Sequence, residues 1–268
     1  MKEKCVDMLS ELTGKKQVLF VQRGNVAIRL ALKLAKHLGY KIALLQDQGG
    51  WLTYTQFCKK EKLEYSEIKT EYGLVDIKTL KHYSNCILLI NSMPGYAALQ
   101  KMREITRICM KQNIFLINDA SGSIGTEEAK YGDIILGSFA IDKPVNISGH
   151  GGFIATDNEE YFNFLEKNNP EFIIDFEGLL GKLNGLNKRL SDLNSIKNKL
   201  IHQLEATEFA DKIIHKDQNG INLVVKFDSE MQKEKLIKLA GKENLEFTLC
   251  PRDIRVNVSA VSFEIKRK

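Results

Sequence analysis

Residues 114–157, IFLINDASGSIGTEEAKYGDIILGSFAIDKPVNISGHGGFIATD, form the stretch that decides the fold of this chain. It contains three short apolar runs, at residues 114–117, 134–136 and 153–155. Each run is bounded by glycine, asparagine, serine or another turn-forming residue, which is typical of a buried strand. We therefore predict three strands of one sheet in this stretch.

The ends of the first two runs carry the residues with chemical function. The first run ends at Asp119, and the second leads into Ser138, with Lys143 five residues later. In an α/β sheet, ligands bind beyond the carboxyl ends of the parallel strands. We therefore expect Asp119 and Lys143 to face a common ligand. A glycine cluster, Gly149, Gly151 and Gly152, then leads into the third run.

This order of residues resembles the core of the fold-type I pyridoxal-phosphate (PLP) enzymes, nearest to the DegT/DnrJ-like aminotransferases. The family pattern has an acid, Ser-Phe, a lysine, Gly-Gly and Thr-Asp, which here are Asp119, Ser138-Phe139, Lys143, Gly151-Gly152 and Thr156-Asp157. The resemblance implies that Lys143 forms the internal aldimine and that Asp119 pairs with the pyridinium nitrogen. A protonated ring nitrogen lets the cofactor withdraw electrons from the substrate. A lone lysine or aspartate after a strand would more simply be a surface or turn residue, so the ordered set carries the resemblance.

The rest of the chain fits the same architecture. Apolar runs at residues 18–21, 42–45, 63–68 and 86–90 alternate with amphipathic helical segments, which predicts a mostly parallel sheet with helices on both faces. We predict an α/β protein with a three-layer αβα large domain at residues 1–172. Residues 173–268 are expected to form a linking helix, over 178–207, and a small α+β C-terminal domain.

A strand–turn–helix at residues 18–38 predicts a phosphate site. The turn is Arg23-Gly24-Asn25, and the start of a helix exposes backbone N–H groups that attract anions. The resembling family has Ser-Gly-Thr at this turn and uses it for the cofactor phosphate, so Gly24 and Asn25 correspond to cofactor-binding residues. Arg23 either pairs with the phosphate or points away from it.

Two further residues match the family by their offset from strands. Trp51, the one tryptophan of the chain, follows the strand at 42–45, where an aromatic residue of the family stacks on the pyridine ring. The alternative is a partly buried tryptophan that anchors a loop. Asn91 follows the strand at 86–90 and is a candidate partner of the phenolic oxygen of the cofactor. It could equally be a turn-forming residue before Pro94.

The sequence departs from the family three residues after the acid. Most sugar aminotransferases have Gln or His there, in contact with the cofactor, whereas this chain has Gly122. Ser121 or Ser123 could supply the contact, and we count Ser121 and Ser138 among the cofactor-binding candidates. The Ser-Gly-Ser version resembles branches of fold-type I that act on amino acids or aminoacyl groups.

Arg255 is the candidate for substrate binding. Fold-type I enzymes that handle amino acids often hold the substrate carboxylate with a two-point arginine contact from a C-terminal strand. Arg255, in Ile-Arg-Val, resembles that residue, with Arg252 as the alternative. A surface arginine on an edge strand is the simpler interpretation of the same residues.

Composition narrows the class of protein. The chain has 268 residues, 43% of them hydrophobic and 27% charged, which is ordinary for a globular protein. No apolar run has the length of a membrane span, and the charged N-terminus lacks the apolar region of a signal peptide. The five cysteines and five histidines show no metal-ligand spacing, which favours reduced thiols in the cytoplasm. The net charge of +5 gives no positive support for a nucleic-acid partner such as tRNA.

Together these features predict a cytoplasmic PLP-dependent aminotransferase that acts on a small-molecule amino donor and acceptor. The family resemblance implies a homodimer. Two alternatives remain open. One is a PLP-dependent lyase or β-replacement enzyme acting on an amino acid or an aminoacyl-tRNA. The other is a degenerate member of the fold that binds a ligand without catalysis.

Overall fold

A computed structural model describes residues 1–148, 150–252 and 254–268. Gly149, part of the predicted glycine cluster, lies outside the described residues. The strands are β1 (Gln17–Val21), β2 (Ile42–Gln46), β3 (Glu64–Ile68), β4 (Thr70–Glu71), β5 (Leu74–Val75), β6 (Ile87–Asn91), β7 (Phe115–Asp119), β8 (Ile134–Ser138), β9 (Gly152–Thr156), β10 (Ile213–Ile214), β11 (Leu223–Lys226), β12 (Phe247–Cys250) and β13 (Ala260–Phe263). The α-helices are α1 (Lys2–Thr13), α2 (Gly24–His37), α3 (Thr53–Lys60), α4 (Ile77–Leu80), α5 (Met102–Gln112), α6 (Glu159–Asn168), α7 (Phe176–Asn184), α8 (Leu186–Glu205) and α9 (Glu230–Lys242).

The large domain is built on a seven-stranded sheet in the order β1-β9-β8-β7-β6-β2-β3. The neighbours from β8 to β3 all pair in parallel. Strand β9 is antiparallel to both of its neighbours, β1 and β8. The predicted α/β fold with a mostly parallel sheet is confirmed, and the three apolar runs of residues 114–157 are its strands β7, β8 and β9.

Both faces of the sheet are covered, which explains the nearly continuous apolar strands. In β7, Phe115 and Ile117 pack on the α2 side of the sheet, whereas Leu116 packs on the α5 side. Successive residues of a strand point to opposite faces, so apolar residues are required at every position. Helix α2 carries an apolar stripe (Ile28, Ala31, Leu32, Ala35), and α5 carries another (Met102, Ile105, Cys109).

A second sheet forms the small C-terminal domain. Its four strands lie in the order β10-β11-β13-β12, and all neighbouring pairs are antiparallel. Helices α8 and α9 cover one face of this sheet with leucines such as Leu200 and Leu236. The predicted strand at 254–265 is shorter than expected, because it begins only at Ala260. The exact division of the chain at residues 172 and 173 stays a proposal.

The predicted single helix over 178–207 is wrong, since two helices meet at Gly185. Leucines of α7, such as Leu183, pack in the core of the large domain together with α1. Leucines of α8, such as Leu200, pack in the core of the small domain. Leu186, the first residue of α8, still packs in the core of the large domain, so the leucine stripe changes from one core to the other within the first turns of α8. Within the described ranges, no helix is long and apolar enough to span a membrane.

Candidate active site

A cavity of about 420 Å³ lies where the carboxyl ends of the large sheet meet the small domain. Every predicted site residue lines it, although they are spread over most of the chain: Gly24, Asn25, Trp51, Asn91, Asp119, Ser121, Ser138, Lys143 and Arg255. The structure therefore brings the predicted residues together around one space. Their individual roles are considered below.

Asp119 is the last residue of β7 and is almost fully buried. Its Oδ2 accepts a hydrogen bond of 2.7 Å from the Tyr54 hydroxyl, and its Oδ1 accepts one of 3.0 Å from the backbone N–H of Ser121. Burial, together with the neighbouring Asp119, raises the pKa of Tyr54 well above its ordinary value. The hydroxyl of Tyr54 therefore stays protonated and holds the carboxylate in a fixed orientation.

Tyr54 was not predicted as a site residue. It lies in α3, three residues after Trp51, and its ring packs in the core of the large domain. A tyrosine at this position has the sequence pattern of an ordinary core residue. Only the fold shows that its hydroxyl reaches Asp119, which is 65 residues away in the sequence.

Lys143 lies in the loop that connects β8 and β9. Its Nζ hydrogen-bonds the hydroxyl of Tyr96 and lies 5.1 Å from the centroid of the Trp51 ring. Burial lowers the pKa of Lys143, but Tyr96 and Asp119 outweigh that effect, so the pKa is raised above its ordinary value. The amine is thus held inside the cavity, between two aromatic rings and near a carboxylate.

Helix α2 points its N-terminus at the cavity. Gly24 is its first residue, and a Cβ atom there would lie 2.8 Å from the Cβ of Ser138, so only glycine lets β8 approach this closely. The N–H groups of the first turn have no acceptor within a helix and attract anions. The turn therefore has free N–H groups that suit a phosphate, and its role in cofactor binding stays a prediction.

Asn25 and Trp51 are joined by their side chains. The Oδ1 of Asn25 accepts hydrogen bonds from the indole N–H of Trp51, at 2.9 Å, and from the Thr53 hydroxyl, at 3.2 Å. Trp51 both lines the cavity and packs against the core of the large domain. The two interpretations of Trp51 are therefore compatible, because an anchored indole can also present its face to a ligand.

The remaining polar candidates are hydrogen-bonded within the protein. The Oδ1 of Asn91 accepts from the N–H of Met93 at 2.9 Å, which is the turn-forming role. The hydroxyl of Ser121 accepts from the N–H of Ser138 at 3.0 Å, and the hydroxyl of Ser138 accepts from Ala140 at 3.3 Å. These bonds shape the loops around the cavity. Direct contact of the three side chains with a cofactor stays a prediction.

Arg255 is not on a strand but in the loop before β13, and it is only 3% exposed. Its Nε donates to Glu264 Oε1 at 2.9 Å and its Nη2 donates to Oε2 at 2.6 Å. The alternative of a surface arginine is therefore excluded for Arg255, whereas Arg252 is exposed. A protein carboxylate occupies the two-point contact that was predicted for the substrate.

Sequence reasoning missed Tyr96 and Lys266, which also line the cavity. The Nζ of Lys266 lies 4.8 Å from the centroid of the Tyr96 ring and donates to the carbonyl of Asp142 at 3.1 Å. Burial lowers the pKa of Lys266 to about 8. Its place in a charged C-terminal segment indicated a surface residue, so no signal in the sequence pointed to the cavity.

The comparison with protein families decides the identity. Residues 7–216 match the profile of the DegT/DnrJ/EryC1/StrS aminotransferase family. The chain belongs to this family. The predicted resemblance is thereby confirmed. Residues 184–267 also match the profile of the MJ1341 family C-terminal domain.

Relatives of this DegT/DnrJ/EryC1/StrS family member include a curated enzyme from Campylobacter jejuni, UDP-4-amino-4,6-dideoxy-N-acetyl-beta-L-altrosamine transaminase. The two sequences are 31% identical over 178 residues, which is 58% of this chain and 46% of the relative. The match thus spans just under half of the length of that transaminase. The activity and substrate in its name are those of that protein.

Two solved structures illustrate the shared fold. The sugar aminotransferase CalS13 from Micromonospora echinospora has a TM-score of 0.77 at 11% identity, over 98% of this chain and 86% of the other. NtdA from Bacillus subtilis, with bound cofactor PMP, has a TM-score of 0.68 at 17% identity, over 98% of this chain and 72% of the other. Both confirm the predicted fold class.

Proposed function

We propose that this chain is a PLP-dependent aminotransferase, which moves an amino group between a small-molecule donor and acceptor. One observation carries the proposal: Lys143, Asp119 and the N-terminus of α2 line the same cavity. Membership of the family and the transaminase among the relatives support the reaction class.

The residues of the cavity fit PLP. A PLP site needs an amine for covalent attachment, an anion near the ring nitrogen, donors for the phosphate and a flat surface for the ring. Lys143, Asp119, the first turn of α2 and Trp51 offer these four features. The cavity volume of about 420 Å³ is within the roughly 300–1,000 Å³ usual for small-molecule sites.

Each residue has a proposed task. Bound PLP would supply an electron sink for the bonds at the substrate carbon. Lys143 attaches the cofactor and, when released, carries protons at its Nζ. Asp119, oriented by Tyr54, favours the charged form of the ring nitrogen, because an opposite charge nearby stabilises a cation. Asn91, Ser121 and Ser138 are proposed as further cofactor contacts, and Arg255 as a substrate contact.

The test starts from purified protein incubated with PLP. We expect visible absorbance from the bound cofactor, and borohydride reduction with peptide mapping should place the pyridoxyl group on Lys143. Lys143→Arg should abolish the label. Lys197→Arg, a change at a buried lysine outside this cavity, should retain it. A label on another lysine of the wild-type protein would contradict the site.

The reaction class needs a second measurement. Formation of pyridoxamine phosphate from the bound cofactor, across a panel of amino donors, is expected for an aminotransferase. Release of ammonia with the cofactor unchanged would instead indicate the lyase alternative. Exchange of the group on the β-carbon of the substrate, with its amino group retained, would indicate the β-replacement alternative. Cofactor binding without either reaction would indicate a binding protein.

We also propose that the protein is a homodimer in the cytoplasm. Ile141 lines the cavity and is 78% exposed, and Ile173, at the adjacent groove that shares His150, is 97% exposed. Apolar side chains exposed beside a site support coverage by a second copy. Light scattering should give twice the chain mass, and Ile173→Asp should shift it towards the monomer. All five cysteines are free and buried, which supports a reducing compartment.

A further inference from the structure

Tyr96 joins the cavity to the small domain. It follows β6, and its side chain is 3% exposed. Its hydroxyl bonds the Nζ of Lys143, while its backbone carbonyl accepts hydrogen bonds from the N–H groups of Ile221 and Asn222, each at 2.9 Å. A single residue thus connects the proposed cofactor lysine to the backbone of the small domain.

The ring of Tyr96 is held by cations of the small domain. The Nζ of Lys266 lies 4.8 Å and the guanidinium carbon of Arg255 lies 5.6 Å from the ring centroid, both within cation–π range. Glu264, which is fully buried, bonds Arg255 and lies 3.8 Å from the Nζ of Lys266. The ring of Tyr96 is therefore in contact with cations of the small domain as well as with the amine of Lys143.

Gly122 provides the space for this ring. A Cβ atom at Gly122 would lie 2.9 Å from Cδ1 and 3.0 Å from Cε1 of Tyr96. Such distances are too short for any side chain while the ring stays in place. The absence of a side chain at position 122 and the ring of Tyr96 are therefore complementary.

The backbone of Tyr96 is also unusual. Its φ is +64°, in the left-handed region that residues other than glycine rarely adopt. Conformations of this kind persist only where surrounding contacts hold them, and they concentrate at functional sites. Here the contacts are the carbonyl bonds to the small domain, the cations at the ring and the hydroxyl bond to Lys143.

We propose that Tyr96 is a positioning residue for Lys143, and that its ring takes up this position because residue 122 is a glycine. The inference rests on the proposed function, because it assigns Lys143 the cofactor. A phenol hydroxyl can accept a hydrogen bond from a charged amine and donate one to a neutral amine. Tyr96 therefore holds the Nζ of Lys143 in the cavity in either protonation state.

The first test compares Tyr96→Phe, which keeps the ring, with Tyr40→Phe. Tyr40 is the matched control because its hydroxyl donates to Asn113, at 3.4 Å, outside the cavity. Tyr96→Phe should weaken PLP binding about tenfold, the effect of one hydrogen bond to a charged group, with an unchanged melting temperature. Tyr40→Phe should bind PLP like the wild type, and equal affinity of all three proteins would overturn the proposal.

A second readout needs no cofactor. Reductive methylation of the protein without PLP, followed by peptide mapping, reports the reactivity of each lysine. Tyr96→Phe should change the methylation rate of Lys143 and leave that of Lys197 unchanged. If wild-type protein fails to bind PLP, the proposed function fails, while this measurement still decides whether Tyr96 controls Lys143. An unchanged rate at Lys143 contradicts the inference alone.

The third test examines the match between Gly122 and Tyr96. Gly122→Gln should weaken PLP binding, because the new side chain and the ring compete for one space. The double variant Gly122→Gln/Tyr96→Ala should bind PLP more tightly than expected from multiplying the fold-losses of affinity of the two single variants. Strictly multiplicative effects would overturn the claim that the two positions are complementary.

Discussion

Arg255 and Glu264 form a buried, two-point ion pair beside the cavity, with N–O distances of 2.9 Å and 2.6 Å. The side chains are 3% and 0% exposed. Removing one partner of such a pair leaves an uncompensated buried charge, which costs far more than losing an exposed pair. The pair therefore joins the loop before β13 to the end of the chain, and its loss should be felt by the whole small domain.

Glu264→Gln should lower the free energy of unfolding by about 3–5 kcal/mol in urea denaturation. The exposed Glu230, which pairs with Lys233, provides the control, and Glu230→Gln should leave stability unchanged within error. Equal stability of Glu264→Gln and wild type would show that the pair does not stabilise the fold.

The same pair predicts acid sensitivity. Burial raises the pKa of Glu264, but hydrogen bonds and charge from Arg255 outweigh it and lower the pKa below the ordinary value of 4.5. The stabilisation is therefore complete above about pH 4.5 and is lost as the pH falls through the folded-state pKa. The stability difference between wild type and Glu264→Gln should shrink on acidification, and a constant difference would refute this.

Arg255→Lys tests the proposed contact with substrate. Glu264 already holds the two-point contact of Arg255, so a donor carboxylate would meet only the remaining N–H groups of the guanidinium. Lysine keeps the charge but cannot bond Glu264 and a donor in this planar arrangement, so binding of the amino donor should weaken about tenfold to hundredfold. Glu264→Gln, assayed in parallel under conditions where it stays folded, retains the guanidinium and should not weaken donor binding. If both variants lose donor affinity equally, Arg255 acts only through the structure of the small domain.

Asp119→Asn should retain the fold and bind PLP but lose turnover on the order of 100-fold, since it removes a fixed charge from the site. Steady-state kinetics and the visible spectrum together provide the measurement. Asp133→Asn is the control, because the Asp133 carboxylate bonds the N–H of Leu116 and does not line the cavity. Wild-type turnover in Asp119→Asn would exclude the role proposed for this carboxylate.

Because Lys266 is buried, we expect the free energy of unfolding to rise in mild alkali. Burial lowers its pKa from 10.5 to about 8, so between these values the unfolded chain binds more protons than the folded chain. The free energy of unfolding of the wild type should therefore increase relative to Lys266→Met as the pH rises above about 8. Unfolding curves at several pH values, at equal salt, measure the difference. If the difference in the free energy of unfolding does not vary with pH, the pKa of Lys266 is not lowered in the folded protein.

The predictable part of the site lies within short segments. Asp119 ends β7, and Lys143 lies in the loop after β8, the neighbouring strand of the same sheet, so their positions in the sequence already implied a common ligand. Gly24 and Trp51 follow strands of the same sheet by fixed offsets. Local periodicity and turn residues are sufficient for such features.

The contacts between distant segments could not be predicted. Tyr96 meets Arg255 and Lys266 only because the small domain docks on the large sheet, and periodicity carries no information about docking. Likewise, a single glycine within a helical pattern is usually tolerated, so Gly185 did not signal the break between α7 and α8. The sequence did not predict that Arg255 lies in a loop, because Ile254 and Val256 on either side of it are residues typical of a strand.

The antiparallel strand β9 has a consequence for the order of folding. Strand β1 lies at the edge of the sheet and pairs with β9, from Gln17 opposite Thr156 to Val21 opposite Gly152. Pairs so distant along the chain close late, because the loop entropy must be lost first. During synthesis the segments that carry Asp119 and Lys143 are made before β9. Helix α2 follows β1, and β1 can join the sheet only after β9 has been made. The phosphate end of the cavity is therefore anchored only after the segment that carries Lys143 has been made, and the cavity residues of the small domain, such as Lys266, are made later still.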